Sequence, residues 1–237
     1  LSPAAIQRAL DALKTCRKKI DFHHVSHVRA VATEACRRAT NGQILVERAQ
    51  KELGIDIEII DGKEEARLAL TGCAAILNPN IPYAVVFDIG GGSTEVIWLR
   101  LLSEHRGRPG YPIPFEVIDS ISLPYGVVTI SESYAQFAAS PEIHQNIRDS
   151  VAQELTRFSE RNQIQRNIDT NAVQLVGSSG TVTTLAAIQV GLKQYERRMI
   201  DGLFIKTSRL HSISQKILTM SIPERAQHPC IGAGRSD

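Results

Sequence analysis

Neither sign of charge dominates this sequence of 237 residues: Lys plus Arg number 27 and Asp plus Glu 25, for a net charge of +2. That balance gives no whole-molecule attraction to DNA or to a membrane, so any anion site has to be local. Cysteine is scarce and scattered. Cys16, Cys36, Cys73 and Cys230 include no CxxC pair, which argues against a zinc ribbon or a disulfide framework and fits a reducing, cytoplasmic setting. Long apolar runs are missing too. The uncharged stretch around Leu68 to Ile81 holds Asn78, Pro79 and Asn80 and reads as a helix ending in a turn, not as a membrane span. No basic, apolar and small-residue succession marks a signal peptide, and the sequence opens on Leu1 without an initiator Met, so we expect residues before it. Low-complexity tracts and tandem repeats are absent. What is present, 43% hydrophobic and 22% charged residues with 16 Gly and 10 Pro, is the composition of a globular protein with a real core. The length suits one large domain, or two small ones with a cleft between them.

Helical and strand spacings alternate along the chain. Ser2 and Pro3 open a helix in which Ile6, Leu10 and Leu13 recur, with Lys14, Arg17, Lys18 and Lys19 towards its end. Val25 to Val31 reads as a strand. Asn41 caps a helix striped by Leu45, Ala49 and Leu53 and stopped by Gly54. Ile55, Ile57 and Ile59 alternate with Asp56 and Glu58 as a half-buried strand. Asp61 and Gly62 lead into a long helix with Ala66, Ala69, Leu70, Cys73 and Ile76 on its apolar face and Glu64 and Glu65 in its first turn. Two β-rich runs, Tyr83 to Phe87 and Val96 to Leu102, enclose a glycine turn; a polar stretch with Pro109, Pro112 and Pro114 then precedes a third strand, Phe115 to Ile121. Pro141 opens an amphipathic helix with Ile143, Ile147, Val151, Leu155 and Phe158 facing inwards. Val173 to Val176 is a short strand feeding a helix through Leu185 and Ile188, and a last helix covers about Ser208 to Met220. The alternation predicts an α/β fold.

Two glycine-rich turns stand out. In Asp88-Ile89-Gly90-Gly91-Gly92-Ser93-Thr94-Glu95 the glycines remove side chains, so backbone N–H groups can close around an oxyanion with help from the Ser93 and Thr94 hydroxyls. The turn has neither GxGxxG nor GxxxxGK[ST] spacing. An ordinary hairpin turn is the bland alternative, but such a turn needs neither Asp88 nor Glu95. In Gly177-Ser178-Ser179-Gly180-Thr181 a strand end meets a helix start, where unpaired N–H groups and the helix dipole favour an anion; a helix start capped by Ser179 or Thr181 is the plainer alternative. This second turn does not match the GxSxG nucleophile elbow, which argues against a serine hydrolase. Glu64 and Glu65 suit a solvated helix N-terminus. Arg37 and Arg38 follow a strand, where parallel sheets bring ligand-contacting loops, and otherwise read as surface. His23, His24 and His27 form HHxxH without an evident third ligand and read as surface or structural residues. Trp98 reads as core.

With these residues in view, the sequence resembles the Ppx/GppA phosphatases, the exopolyphosphatases and guanosine pentaphosphate phosphohydrolases. Ile59 to Leu68, Val86 to Glu95 and Gly177 to Thr181 look like three family motifs in order, Ala32 to Asn41 is similar to the family's arginine-bearing loop, and the likeness runs on to Gly234-Arg235-Ser236-Asp237. The resemblance implies an actin-like, sugar-kinase-like (ribonuclease H-like) two-domain α/β fold lacking its first strands here. It divides into residues 1–63, the remnant of an N-terminal domain, and 64–237, a second domain carrying the glycine loops, with a hinge near the residues before Glu65. It further implies Glu65 as catalytic base, Arg37 as a phosphate contact and Asp88 with Glu95 near a Mg2+ ion or the attacking water. Gly90, Gly91, Gly92, Ser93 and Thr94 become one phosphate loop, and Gly177, Ser178, Ser179, Gly180 and Thr181 a second. The implied reaction is Mg2+-dependent hydrolysis of terminal phosphoanhydrides in inorganic polyphosphate or pppGpp, and family members often form homodimers. The family's first phosphate loop, an Asp-x-Gly-Ser-Asn-Ser turn, has no counterpart here, nor has the helical segment expected after Asp237. The expectation is therefore the ordered or cloned part of a complete enzyme, or a truncated polypeptide. An ATP-using kinase or ATPase of the same superfamily and a non-catalytic polyphosphate or nucleotide sensor are the rival readings.

Overall fold

The computed structural model describes residues 1–102, 113–134, 140–194, 196–232, 234 and 236. Pro109, Pro112, Arg235 and Asp237, named above, lie outside the described residues. The chain divides into two units, Leu1–Arg67 and Leu68–Asp237. Among the described residues no helix is long and apolar enough to cross a membrane.

The first unit opens with helix α1 (Pro3–Phe22), whose N-terminus is closed by the Ser2 hydroxyl accepting the Ala5 N–H. Its end differs from the expected strand at Val25. His24 takes φ 50° and the Val25 N–H donates to Ile20 C=O at 3.0 Å, so Val25 terminates the helix instead of starting a strand. Strand β1 is only Ala30–Ala32, pairing in parallel with β2 (Ile57–Ile59), whose three residues limit the ladder. Between them lie α2 (Glu34–Arg38), which sequence reasoning leaves unassigned, and α3 (Gly42–Leu53), ended by Gly54 at φ 62°. Ile6, Leu10, Cys36, Leu45 and Ala49 form this unit's core. Helix α4 (Gly62–Cys73) starts where the Asp61 carboxylate accepts the Glu64 N–H at 2.8 Å. A tighter 3-10 turn, Ala74–Ile76, follows it. That tightening buries Ala74 and Leu77 and leaves Ile76, expected on the apolar face, 43% exposed.

The second unit is built on a four-stranded sheet in the order β5-β4-β3-β6. Strand β4 (Thr94–Leu101) runs antiparallel to both β3 (Tyr83–Ile89) and β5 (Phe115–Leu123), and β6 (Val173–Ser178) lies parallel to β3. Strand β4 is buried along most of its length, because both faces of the sheet are covered. On one face Trp98, stacked on Tyr83 at 5.0 Å, joins Val96, Leu123, Phe158 and Ile164. The helices α5 (Val127–Tyr134), α6 (Pro141–Arg161) and α7 (Ile164–Asp169) follow β5, with α6 and α7 supplying Phe158 and Ile164 to that core. Leu155, expected to face inwards, is exposed on the flank of α6. Helix α8 (Ser179–Val190) rests against β3 and β6, and a second cluster joins its Ala186 and Ala187 to Ile200. The 3-10 turn Arg197–Met199, then α9 (Thr207–Thr219) and α10 (Ile222–Gln227) complete the unit. Helix α10 begins with a capping box between Ser221 and Glu224.

Candidate active site

Strands β3 and β4 are joined by the turn Gly90 to Ser93, closed by Gly90 N–H donating to Ser93 C=O at 2.9 Å. The strands run further than the sequence suggests, so Asp88 and Glu95 are paired strand residues flanking the turn. The turn's next three carbonyls face the start of α5. Val127 N–H donates to Gly90 C=O at 3.0 Å, and the N–H groups of Val128 and Thr129 both donate to Gly91 C=O, at 2.8 and 3.2 Å. The Thr129 hydroxyl lies 3.2 Å from Gly92 C=O. A trans peptide places a carbonyl and the following N–H on opposite sides. The N–H groups of Gly91, Gly92 and Ser93 therefore point away from α5, and none of them donates to an acceptor among the described residues. Successive backbone amides without internal partners are the elements from which main-chain anion sites are built.

The second loop leaves β6 beside the first, with Ser178 registered against Asp88. Ser179 opens α8 at φ 78°, a left-handed conformation that costs an L residue about 1–2 kcal/mol. Ser178 stands at the N-cap without making a side-chain cap, and neither Ser179 nor Thr181 supplies one, so this helix start offers its dipole to an anion. Both loops border one cavity of about 640 Å³, lined by Gly90 and Gly91 from the first loop and Ser179, Gly180 and Thr181 from the second, with Arg225 of α10 also on its wall. This volume is within the range of small-molecule sites. The other loop residues do not line it. Ser93 donates its hydroxyl to Glu95 at 2.6 Å, and Thr94 to Tyr125 C=O at 2.6 Å. Gly177 serves packing, since a Cβ there would come within 2.5 Å of the Phe87 ring.

Asp88 and Glu95 are direct partners across β3 and β4, so their side chains share a face. Glu95 is 3% exposed, and one of its oxygens accepts both the Ser93 hydroxyl and, at 2.9 Å, that of Ser122. Burial raises the Asp88 carboxyl above the ordinary value and Glu95 adds to this, while a hydrogen bond with Ser179 opposes it. Behind them burial pushes the Cys73 thiol up and Asp88 reinforces it, against a hydrogen bond with Ser178. Two adjacent carboxylates among serine hydroxyls form an all-oxygen donor set. Among the described residues no group of three His, Cys, Asp or Glu side chains gathers for a metal. Such a set fits Mg2+, a hard cation that keeps several waters and takes one or two carboxylates together with substrate phosphates.

In the first unit the structure brings together the two residues singled out as catalytic. The Arg37 guanidinium, on α2, donates to Ile60 C=O at 2.7 Å, to the Glu65 carboxylate at 3.2 and 3.3 Å, and to Glu34. Arg29 and Arg67 both pair with Glu64 instead and hold its carboxyl down at about 2, Arg67 having the larger effect. His23, His24 and His27 are exposed. Sequence reasoning misses Ser122, Gly126, Thr129 and Arg225. The Tyr125-Gly126 step after Pro124 is the one local signal of a turn at that place.

Comparison with known proteins adds independent findings. The model of the Ppx/GppA phosphatase family matches residues 1–236. Exopolyphosphatase 2 of Mycobacterium tuberculosis (strain ATCC 25618 / H37Rv) is 30% identical over 245 aligned positions, covering 100% of this chain and 70% of that protein. A guanosine-5'-triphosphate,3'-diphosphate pyrophosphatase of Aliivibrio fischeri (strain ATCC 700601 / ES114) is 33% identical over 190 positions, covering 80% of this chain and 35% of that protein. The crystal structure of an exopolyphosphatase from Cytophaga hutchinsonii superposes with a TM-score of 0.75 at 26% identity, over 100% of this chain and 71% of that one. The α/β architecture is therefore shared with solved members of this group.

Proposed function

The chain belongs to the Ppx/GppA phosphatase family, and from that membership we propose that it hydrolyses terminal phosphoanhydride bonds, releasing orthophosphate from inorganic polyphosphate or converting pppGpp to ppGpp. The observation that carries this reading is a cavity bordered by both glycine loops. A chain of phosphates is held by donors spaced along it, and two loops facing one space provide them. In this reading the Gly91 amide and the start of α8 take phosphoryl oxygens. Arg225 lies on the same wall, together with Glu132.

The water oxygen bonds to the terminal phosphorus as the bridging P–O bond breaks, and the electron pair leaves on the shortened chain. Glu65 accepts the proton from that water, and Arg37, already beside it, orients the carboxylate and meets phosphate. Asp88 and Glu95 would hold Mg2+, whose chemistry when bound is to offset the charge of the phosphoryl oxygens. A cytoplasmic location and a homodimer belong to the same proposal, the first supported by four free cysteine thiols.

The test is orthophosphate release from polyphosphate and from pppGpp without ATP, with Glu65→Gln beside the wild type. We expect release by the wild type. Glu65→Gln should keep polyphosphate binding and lose about a hundred- to ten-thousand-fold in turnover. Release that requires ATP, or tight binding with no release, contradicts the hydrolase reading. Unchanged turnover in Glu65→Gln removes Glu65 from the mechanism.

A further inference from the structure

We propose that Thr129 and Gly126 are positioning residues for the glycine turn, holding its carbonyls aside so that its amides are presented to phosphate; this rests on the phosphate-binding part of the reading above. Two independent observations carry it. The first is a reciprocal satisfaction of backbone groups. A helix start has donors without intrahelical partners, and in α5 those of Val127, Val128 and Thr129 are taken by the carbonyls of Gly90 and Gly91. The Thr129 hydroxyl completes the set. It accepts the Gly126 N–H at 2.8 Å and lies 2.9 Å from Gly126 C=O and 3.2 Å from Gly92 C=O, the two acceptors within reach of its proton. With its carbonyls held, the turn cannot flip a peptide plane without breaking these bonds. The amides of Gly91, Gly92 and Ser93 are thus fixed before any ligand arrives, and binding loses less conformational entropy.

The second observation is steric. A Cβ on residue 126 would lie 2.2 Å from the Gly91 oxygen, 2.4 Å from the Gly91 carbon and 2.5 Å from the Gly92 carbon. These are backbone atoms, which cannot swing aside as a flexible side chain does. The backbone of Gly126 does not have positive φ, so glycine is required there for space alone. Neither Gly126 nor Thr129 lines the cavity. Both therefore act through the turn.

Thr129→Val removes the hydroxyl at nearly constant shape, Thr129→Ser retains it, and Gly126→Ala forces the backbones apart. The probe is imidodiphosphate, which resists hydrolysis. Its binding is measured by calorimetry with the whole chain in Mg2+, beside the melting temperature of each variant and the kcat and KM for orthophosphate release. We expect Thr129→Val to weaken binding and raise KM by about five- to tenfold, as for one hydrogen bond, with kcat changing less. Thr129→Ser should return both to within about twofold of the wild type, and Gly126→Ala should lose more than Thr129→Val. Wild-type binding by Thr129→Val, or a loss that Thr129→Ser does not restore, overturns the proposal. A wild type that binds the probe but releases no orthophosphate sinks only the hydrolase reading, with the binding series still deciding this one. A wild type that does not bind the probe sinks both.

Discussion

Asp88 and Glu95 stand opposite each other on adjacent strands, yet their surroundings differ. Two serine hydroxyls converge on one oxygen of Glu95, whereas Asp88 is raised, chiefly by burial and then by the charge of Glu95. An acid whose folded value lies above its ordinary 3.8 binds its proton more tightly when native than when unfolded. It therefore favours the fold at low pH and withdraws that support as pH rises through the folded value. In Mg2+-free buffer, Asp88→Asn should gain melting temperature on the wild type as pH climbs above the ordinary carboxylate range, and a gap between the two that stays constant with pH contradicts this. The two carboxylates were legible in the sequence because a tight turn has no use for them. The hydroxyls beside them were less so. Ser93 and Thr94 were expected to assist an anion, but their hydroxyls go to Glu95 and Tyr125. Ser122 and Thr129 reach the site from 27 and 37 residues away from their partners, distances that no local pattern encodes.

Helix α8 begins in a backbone conformation that its first residue, Ser179, tolerates poorly. Ser179→Gly and Ser179→Ala both lose the hydroxyl, so comparing them isolates the backbone effect. We expect the glycine variant to be more stable by about 1 kcal/mol in denaturant unfolding; equal stabilities would show that the loop carries no strain. Elements with a strong period were readable: α1, α3, α4 and α6 follow their apolar stripes, and Ile57 and Ile59 mark β2. Short helices were not. Helix α5 opens with Val127-Val128-Thr129, β-branched residues that do not favour a helix, and forms where the glycine turn takes its N-terminal donors. The strand expected at Val25 yields to a helix-ending hydrogen bond, and Leu155 and Ile76 fall off their stripes where the helix surface turns away from its core.

Each of the two units has its own core and its own share of the candidate site residues. Arg37 and Glu65 lie in the first, while both glycine loops, the cavity that they border and the acidic pair lie in the second. The loops could be found in the sequence because turns rich in glycine and small hydroxyl residues directly after a strand are conspicuous. That they face one space follows from β6 running parallel beside β3, with Ser178 registered against Asp88 across 90 residues of chain. Only the folded topology supplies that pairing. The measurement that bears most directly on this joint grip is a nuclear magnetic resonance titration of the whole protein with imidodiphosphate, following the amides of Gly91, Gly92, Gly180 and Thr181. All four should shift along one binding curve with a common midpoint. Movement confined to one loop, or separate midpoints for the two, would contradict the claim that they hold the same chain of phosphates.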